Sequence, residues 1–187
     1  MAQKAQEGNP VAAQLPLVSA LQNPAVYEHA VTGLQLLETH ISWVILTGEY
    51  VYKIKKAVNF GFLDYSTLEK RSFYCQEELR LNRRFAPQLY LDVVAIGGTV
   101  ERPSLQAGGE PVEYAVRMRQ FPQSGLLSAL AASNALTPET IDALARLVSA
   151  MHAAVERAEQ DTEHGLPVDI HHWVRESFEH IRPALQD

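Results

Sequence analysis

Short apolar runs broken by polar turns occupy the chain as far as about Phe121, and beyond that point apolar positions repeat at helical spacing. Residues 1–10 are polar and expected to be disordered, and 11–21 carry a weak helical pattern that Asn23-Pro24 interrupts. A first strand is predicted over 34–37. The polar stretch Glu38-Thr39-His40-Ile41-Ser42 leads into a second, 43–46, rich in the aromatic and β-branched residues that suit a pleated surface. Thr47-Gly48-Glu49 reads as a tight turn, so a third strand, 50–55, returns antiparallel. Ser66, with Glu69 three positions on, has the pattern of a capping box and predicts a helix over 67–85 that stops before Pro87. A fourth strand over 89–96 turns at Gly97-Gly98 and returns over 99–102. Residues 103–111 read as a loop, and 112–118 as a fifth strand that Pro122 terminates.

The later part is helical. A short helix is expected over 126–132, and Thr137-Pro138-Glu139 opens a longer one with threonine at the cap, proline in the first turn and an acid near the positive end. Ile141, Leu144, Val148, Met151 and Val155 carry that amphipathic helix to about 158. A polar linker, 159–168, precedes a last helix over 170–185, interrupted late by Pro183. The expected class is therefore α+β. A five-stranded antiparallel sheet plus one helix forms a small lobe over 29–121, residues 122–187 begin a helical lobe, and 1–28 is a flexible or weakly helical lead-in.

Composition narrows the function. Of 187 residues, 47% are hydrophobic and 20% charged, and mean hydropathy is -0.13, the profile of a soluble globular protein. A net charge of -6 argues against a nucleic-acid partner, although Arg80, Arg83 and Arg84 form a local basic cluster. The apolar run near 126–132 is far below the roughly 18 residues a membrane span needs, and the polar N-terminus lacks the apolar core of a secretory signal. The expected location is the cytoplasm. The single cysteine, Cys75, forms no internal disulfide and reads as a packed thiol.

The candidate chemistry lies in Val51-Tyr52-Lys53-Ile54-Lys55-Lys56 and in Glu77 and Glu78, about twenty positions on. A strand lysine answered by a glutamate from a following helix is one way phosphotransferases hold nucleotide phosphates. Strand alternation sets Lys53 and Lys55 on one face and Lys56 on the other, which makes Lys53 the first candidate and Lys55 the second. Glu77, one helical turn before Leu81, is preferred to Glu78 as the partner. The same residues also read as ordinary charges: lysines guarding a sheet edge, and acids pairing with Arg80, Arg83 or Arg84 at about 0.2–0.5 kcal/mol each. His172, Glu176 and His180 fall four apart on one helical face, but without a cysteine or fourth ligand they read as surface polar groups rather than a zinc site.

Four blocks together carry a resemblance: Glu38-Thr39-His40-Ile41-Ser42-Trp43-Val44; Val51-Tyr52-Lys53-Ile54-Lys55-Lys56; Phe60-Gly61-Phe62-Leu63-Asp64-Tyr65-Ser66-Thr67-Leu68-Glu69; and Glu78-Leu79-Arg80-Leu81-Asn82-Arg83-Arg84-Phe85-Ala86-Pro87. From about His29 to Pro183 the chain resembles the N-terminal region of bacterial aminoglycoside-phosphotransferase-like proteins, many of which fuse this kinase-like domain to a C-terminal P-loop ATP-binding domain. The resemblance implies a protein-kinase-like N-lobe followed by the first helices of a C-lobe, with a nucleotide between them. It further implies ATP and Mg2+ as cofactors, the Mg2+ ligands lying outside this chain. Lys53, oriented by Glu77 or Glu78, would contact phosphate. Thr39, His40 and Ser42 would lie over the phosphates, and Met118, Arg119 and Phe121 would form the hinge that meets adenine. The helix with Leu147, Met151 and His152 resembles the one that supports the catalytic loop.

The chain departs from that pattern at the chemistry. An aspartate to accept the substrate proton, a following asparagine and a second aspartate for magnesium are missing. His164-Gly165-Leu166 and Asp169-Ile170-His171-His172 do not supply them at workable spacing. The expectation is the nucleotide-binding part of an ATP-dependent small-molecule phosphotransferase with no catalytic residue of its own. Its partners would be a nucleotide, a phosphate acceptor in a longer chain, and a second copy of itself in a homo-oligomer, with neither nucleic acid nor membrane. The alternative is a non-catalytic kinase-like module that serves as a regulatory or protein-docking surface.

Overall fold

The structure, a computed structural model, describes residues 9–106, 108–157, 162 and 165–182. The disorder expected over 1–8, the linker residues 159–161 and 163–164, the side chain of His180, and Pro183 with the helix end at 185 lie outside the described residues. The chain divides into two units, Met1–Leu136 and Thr137–Asp187.

The first unit is α+β. Its antiparallel sheet contains β1 (Gln35–Glu38), β2 (Ser42–Leu46), β3 (Tyr50–Lys55), β4 (Tyr90–Gly98), β5 (Pro103–Ser104) and β6 (Glu113–Arg119), in the order β1-β2-β3-β6-β4-β5. Six strands stand where five are expected: β5 lies inside the stretch 103–111 read as a loop, and β4 does not turn at Gly97-Gly98. Gly98 has φ +81° and a Cβ there would lie 2.4 Å from the Arg102 carbonyl oxygen, so glycine lets the strand approach the turn closely. The turn itself is 99–102, closed by reciprocal backbone bonds of 3.2 and 3.1 Å between Thr99 and Arg102, and the return strand starts only at Pro103. The β2–β3 turn also depends on a glycine: Gly48 has φ +100°, and a Cβ would lie 2.0 Å from Thr32 Oγ1.

Register separates the two faces of the sheet. Trp43 opposes Ile54, Ile45 opposes Tyr52, and Ala115 opposes Ile54, and these residues form one buried cluster. Helix α1 (Pro10–Ala20) supplies Leu17 and Val18 to that cluster, with Leu21 just beyond its end. The lead-in expected to be flexible or weakly helical is thus helical over 10–20 and part of the core. Its helical pattern is weak in sequence because Pro16 lies inside it and because Gln14 occupies the position that an apolar residue would take in the series 14, 17, 18, 21. Gln14 is buried yet satisfied: its amide nitrogen donates to the Lys55 carbonyl at 3.0 Å and to Glu113 at 2.8 Å, and its oxygen accepts from the Ala57 amide at 2.8 Å.

On the other face Val44 and Val116 oppose Lys53, and Met118 opposes Val51. Helix α2 (Leu68–Arg83) contacts β6 and β4. Its cap is Thr67, whose hydroxyl accepts from the Lys70 amide at 3.3 Å, rather than Ser66. Ser66 is instead engaged by Asp64, which takes both its hydroxyl at 2.6 Å and its amide at 2.9 Å. Helix α3 (Leu127–Ala132) completes the described part of this unit.

The second unit contains α4 (Pro138–Ala154), capped by Thr137 as the sequence suggests, and α5 (Pro167–Ile181). Both are amphipathic, and Ile141, Leu147, Trp173 and Phe178 are exposed. Among the described residues no helix is long and apolar enough to cross a membrane.

Candidate functional site

The phase of α2 decides which acid meets the lysine strand. Arg71, Cys75 and Leu79 are its buried residues, spaced four apart, whereas Phe73, Leu81 and Phe85 are exposed. Residue 78 lies three after Cys75 and seven after Arg71 and shares their face; residue 77 lies two from both Cys75 and Leu79 and points away. Glu78 Oε1 accordingly accepts from Lys53 Nζ at 2.8 Å. Glu77, the partner preferred from sequence, pairs bidentately with Arg80 at 2.9 and 2.7 Å on the helix surface. The preference for Glu77 fails because it takes Leu81 to mark the buried face, and Leu81 does not.

Sequence reading also missed that Glu78 holds two lysines. Its Oε2 accepts from Lys55 Nζ at 2.7 Å, so each carboxylate oxygen carries one ammonium. The side chains of Lys53, Glu78 and Lys55 are 27%, 13% and 4% exposed. Strand alternation already places both lysines on one face, so the shared acid was within reach of the sequence. Burial opposes the charge on Lys55, but Glu78 outweighs it and raises the ammonium pKa above its ordinary value. Burial likewise opposes ionisation of Glu78, and Lys53 and Lys55 together pull its pKa below the usual carboxylate range. Cys75 stays a thiol, pushed up to about 12 by burial.

Next to this cluster the same face of the sheet holds an apolar pocket of about 250 Å³. Leu37 and Val44 line it from the β1–β2 pair, Val51 and Met118 from β3 and β6, and Tyr90 and Phe121 from their flanks. Val44 is the direct cross-strand partner of Lys53, and Val51 lies two residues before it, so the pocket adjoins the lysine without an intervening strand. Met118, Arg119 and Phe121, singled out from sequence, all line it. Arg119 turns its guanidinium to Glu49 at 2.9 Å. Gln120 closes the strand ends by accepting from the Thr47 and Gly48 amides at 3.1 and 2.9 Å.

In the 39–42 turn, Ser42 is the cross-strand partner of Lys55. Thr39 Oγ1 accepts from the Ser42 amide at 2.9 Å and from the Ile41 amide at 3.4 Å. Ser42 is fully buried, and Thr39 and His40 line an open depression with Glu38 and Lys56. Lys56 belongs to the opposite side of the sheet: it pairs with Glu38 at 2.5 Å and lies 4.3 Å above the Trp43 ring. Among the described residues no three histidine, cysteine or acidic side chains stand together as a metal site; Glu176 and His172 are in α5.

The arrangement is a cluster of net charge +1 beside an apolar recess. It can hold a molecule with an anionic group at one end and an apolar or aromatic group at the other. No family model matches the chain, and no solved structure matches it. An uncharacterized protein of Mycobacterium bovis and two of Mycobacterium tuberculosis are each 30% identical to it over 132 residues, covering 69% of this chain and 25% of theirs. The chain spans about a quarter of the length of these curated relatives.

Proposed function

We propose that the first unit is a kinase-like nucleotide-binding lobe, part of a longer ATP-dependent small-molecule phosphotransferase of the aminoglycoside-phosphotransferase-like kind. The observation that carries this reading is the Lys53–Glu78 pair at 2.8 Å on the sheet face that also bears the apolar pocket. Lys53 retains ammonium hydrogens beyond the one given to Glu78 and is the most exposed member of its cluster, so it is able to donate to α- and β-phosphate oxygens. The purine would lie in the recess between Val44, Val51 and Met118. A bound nucleotide would supply the phosphate to be transferred, and the groups for the transfer itself would come from sequence beyond this chain. The residues present fit the nucleotide better than they fit Mg2+, for which the described residues group no ligands.

Calorimetric titration of a non-hydrolysable ATP analogue into the wild type and Lys53→Ala tests the reading. The expected loss in the variant is on the order of tenfold to a hundredfold, the worth of a hydrogen bond to a charged group. Equal affinities would remove Lys53 from the role. The rival reading, a non-catalytic regulatory module, expects no binding of the analogue by either protein.

A further inference from the structure

One acid suffices to orient one phosphate-binding lysine, yet Glu78 holds two. The two ammonium groups are not equivalent. Lys55 is almost entirely buried, takes Glu78 Oε2 at 2.7 Å, and lies 4.8 Å from the centre of the Tyr65 ring. Lys53 takes the other oxygen from a position open to solvent. If Lys53 leaves Glu78, water or a ligand can receive it; if Lys55 leaves, its charge has no solvent to turn to. The other groups that face Glu78 cannot replace either cation. Cys75 is a neutral thiol, and burial raises the Tyr90 hydroxyl above its ordinary pKa, so it too is neutral.

We propose that Lys55 is a positioning residue: it remains on Glu78 as a fixed counter-charge, so that Lys53 can turn from Glu78 to a phosphate-bearing anion without leaving a buried carboxylate unpaired. This deepens, and rests on, the nucleotide reading of the same site. It also explains why the cluster is cationic before any ligand arrives: one of its two positive charges is spent on Glu78 and the other is left for the anion.

The full chain is examined as wild type, Lys55→Met, Lys55→Arg and the double variant Lys55→Met/Glu78→Gln. Two quantities are read: calorimetric affinity for the ATP analogue, and the rate at which Lys53 is acylated by acetic anhydride, followed by mass spectrometry. In Lys55→Met, Glu78 has only Lys53 to hold, so Lys53 acylates more slowly and analogue affinity falls on the order of tenfold or more. Lys55→Arg keeps the counter-charge and restores both. The double variant leaves no carboxylate behind and recovers most of the affinity. Should Lys55→Met fail to fold, Lys55→Arg and the double variant carry the test, and acylation of Lys55 as fast as Lys53 in the wild type overturns the proposal. Analogue binding by the wild type, with affinity and Lys53 acylation both unmoved in Lys55→Met, overturns the positioning role alone. No binding by the wild type sinks the nucleotide reading together with the purpose assigned to the pair.

Discussion

Glu77 and Glu78 are chemically identical neighbours, and the structure gives them opposite surroundings: one on the helix surface with Arg80, the other between two lysines. Their contributions to stability differ accordingly. The Glu78 pKa is lowered on folding, so its contribution is present above the ordinary carboxylate value of 4.5 and is lost as pH falls through the folded value. Lys55, raised from 10.5, contributes fully below that value and loses its contribution as pH rises through the folded one. The stability difference between wild type and Glu78→Gln is therefore expected to be constant between these limits and to shrink below pH 4.5, as urea midpoints over a pH series would record. A difference independent of pH down to complete protonation would contradict the ion pairing. A second expectation concerns Cys75: a buried thiol held near 12 should react with a disulfide reagent at pH 8 only through the small unfolded population. Addition of urea below the unfolding midpoint should raise that rate in proportion to the unfolded fraction. From sequence, Lys53 was legible because strand alternation needs only the chain itself. The choice of Glu78 was not, because it depends on how α2 is rotated against the sheet, and the residue that sets this rotation is a buried arginine.

That arginine belongs to the joint between elements. Arg71 of α2 donates through Nε to both oxygens of Glu113 at 2.9 Å, and through Nη1 to the Tyr65 carbonyl at 3.1 Å. Glu113, 1% exposed at the start of β6, also accepts from Gln14 of α1. One carboxylate thus ties both helices to the sheet, and its removal leaves a buried guanidinium without its counter-charge. Glu113→Ala is expected to cost about 3–5 kcal/mol in urea unfolding, and Leu17→Ala in α1 about 2–5 kcal/mol. A cost near zero for Leu17→Ala would mean that α1 is not part of the core. Strand periods and the Thr137 cap were readable in advance, since each is a local signal. The α1 helix showed only as a weak pattern over 11–21, and the Thr67 cap and the sixth strand did not show. Buried Gln14 disguises the helical stripe, Asp64 competes for Ser66, and β5 has only two residues, too short for any period to register.

For the whole molecule, the α+β first unit carries the candidate site, and the second unit presents amphipathic helices whose apolar residues are exposed among those described. The chain spans about a quarter of the length of its curated relatives. This chain, incubated with ATP and magnesium, is expected to release phosphate no faster than buffer alone. The site itself is tested most directly by the methyl resonance of Met118, one of three methionines in the sequence and the one that lines the recess. In protein labelled with 13C at the methionine methyl, a non-hydrolysable ATP analogue is expected to shift the Met118 signal saturably, and Lys53→Ala to move the midpoint to higher analogue concentration by on the order of tenfold or more. A Met118 signal that stays in place at millimolar analogue, in wild type and variant alike, would contradict nucleotide binding on this face of the sheet.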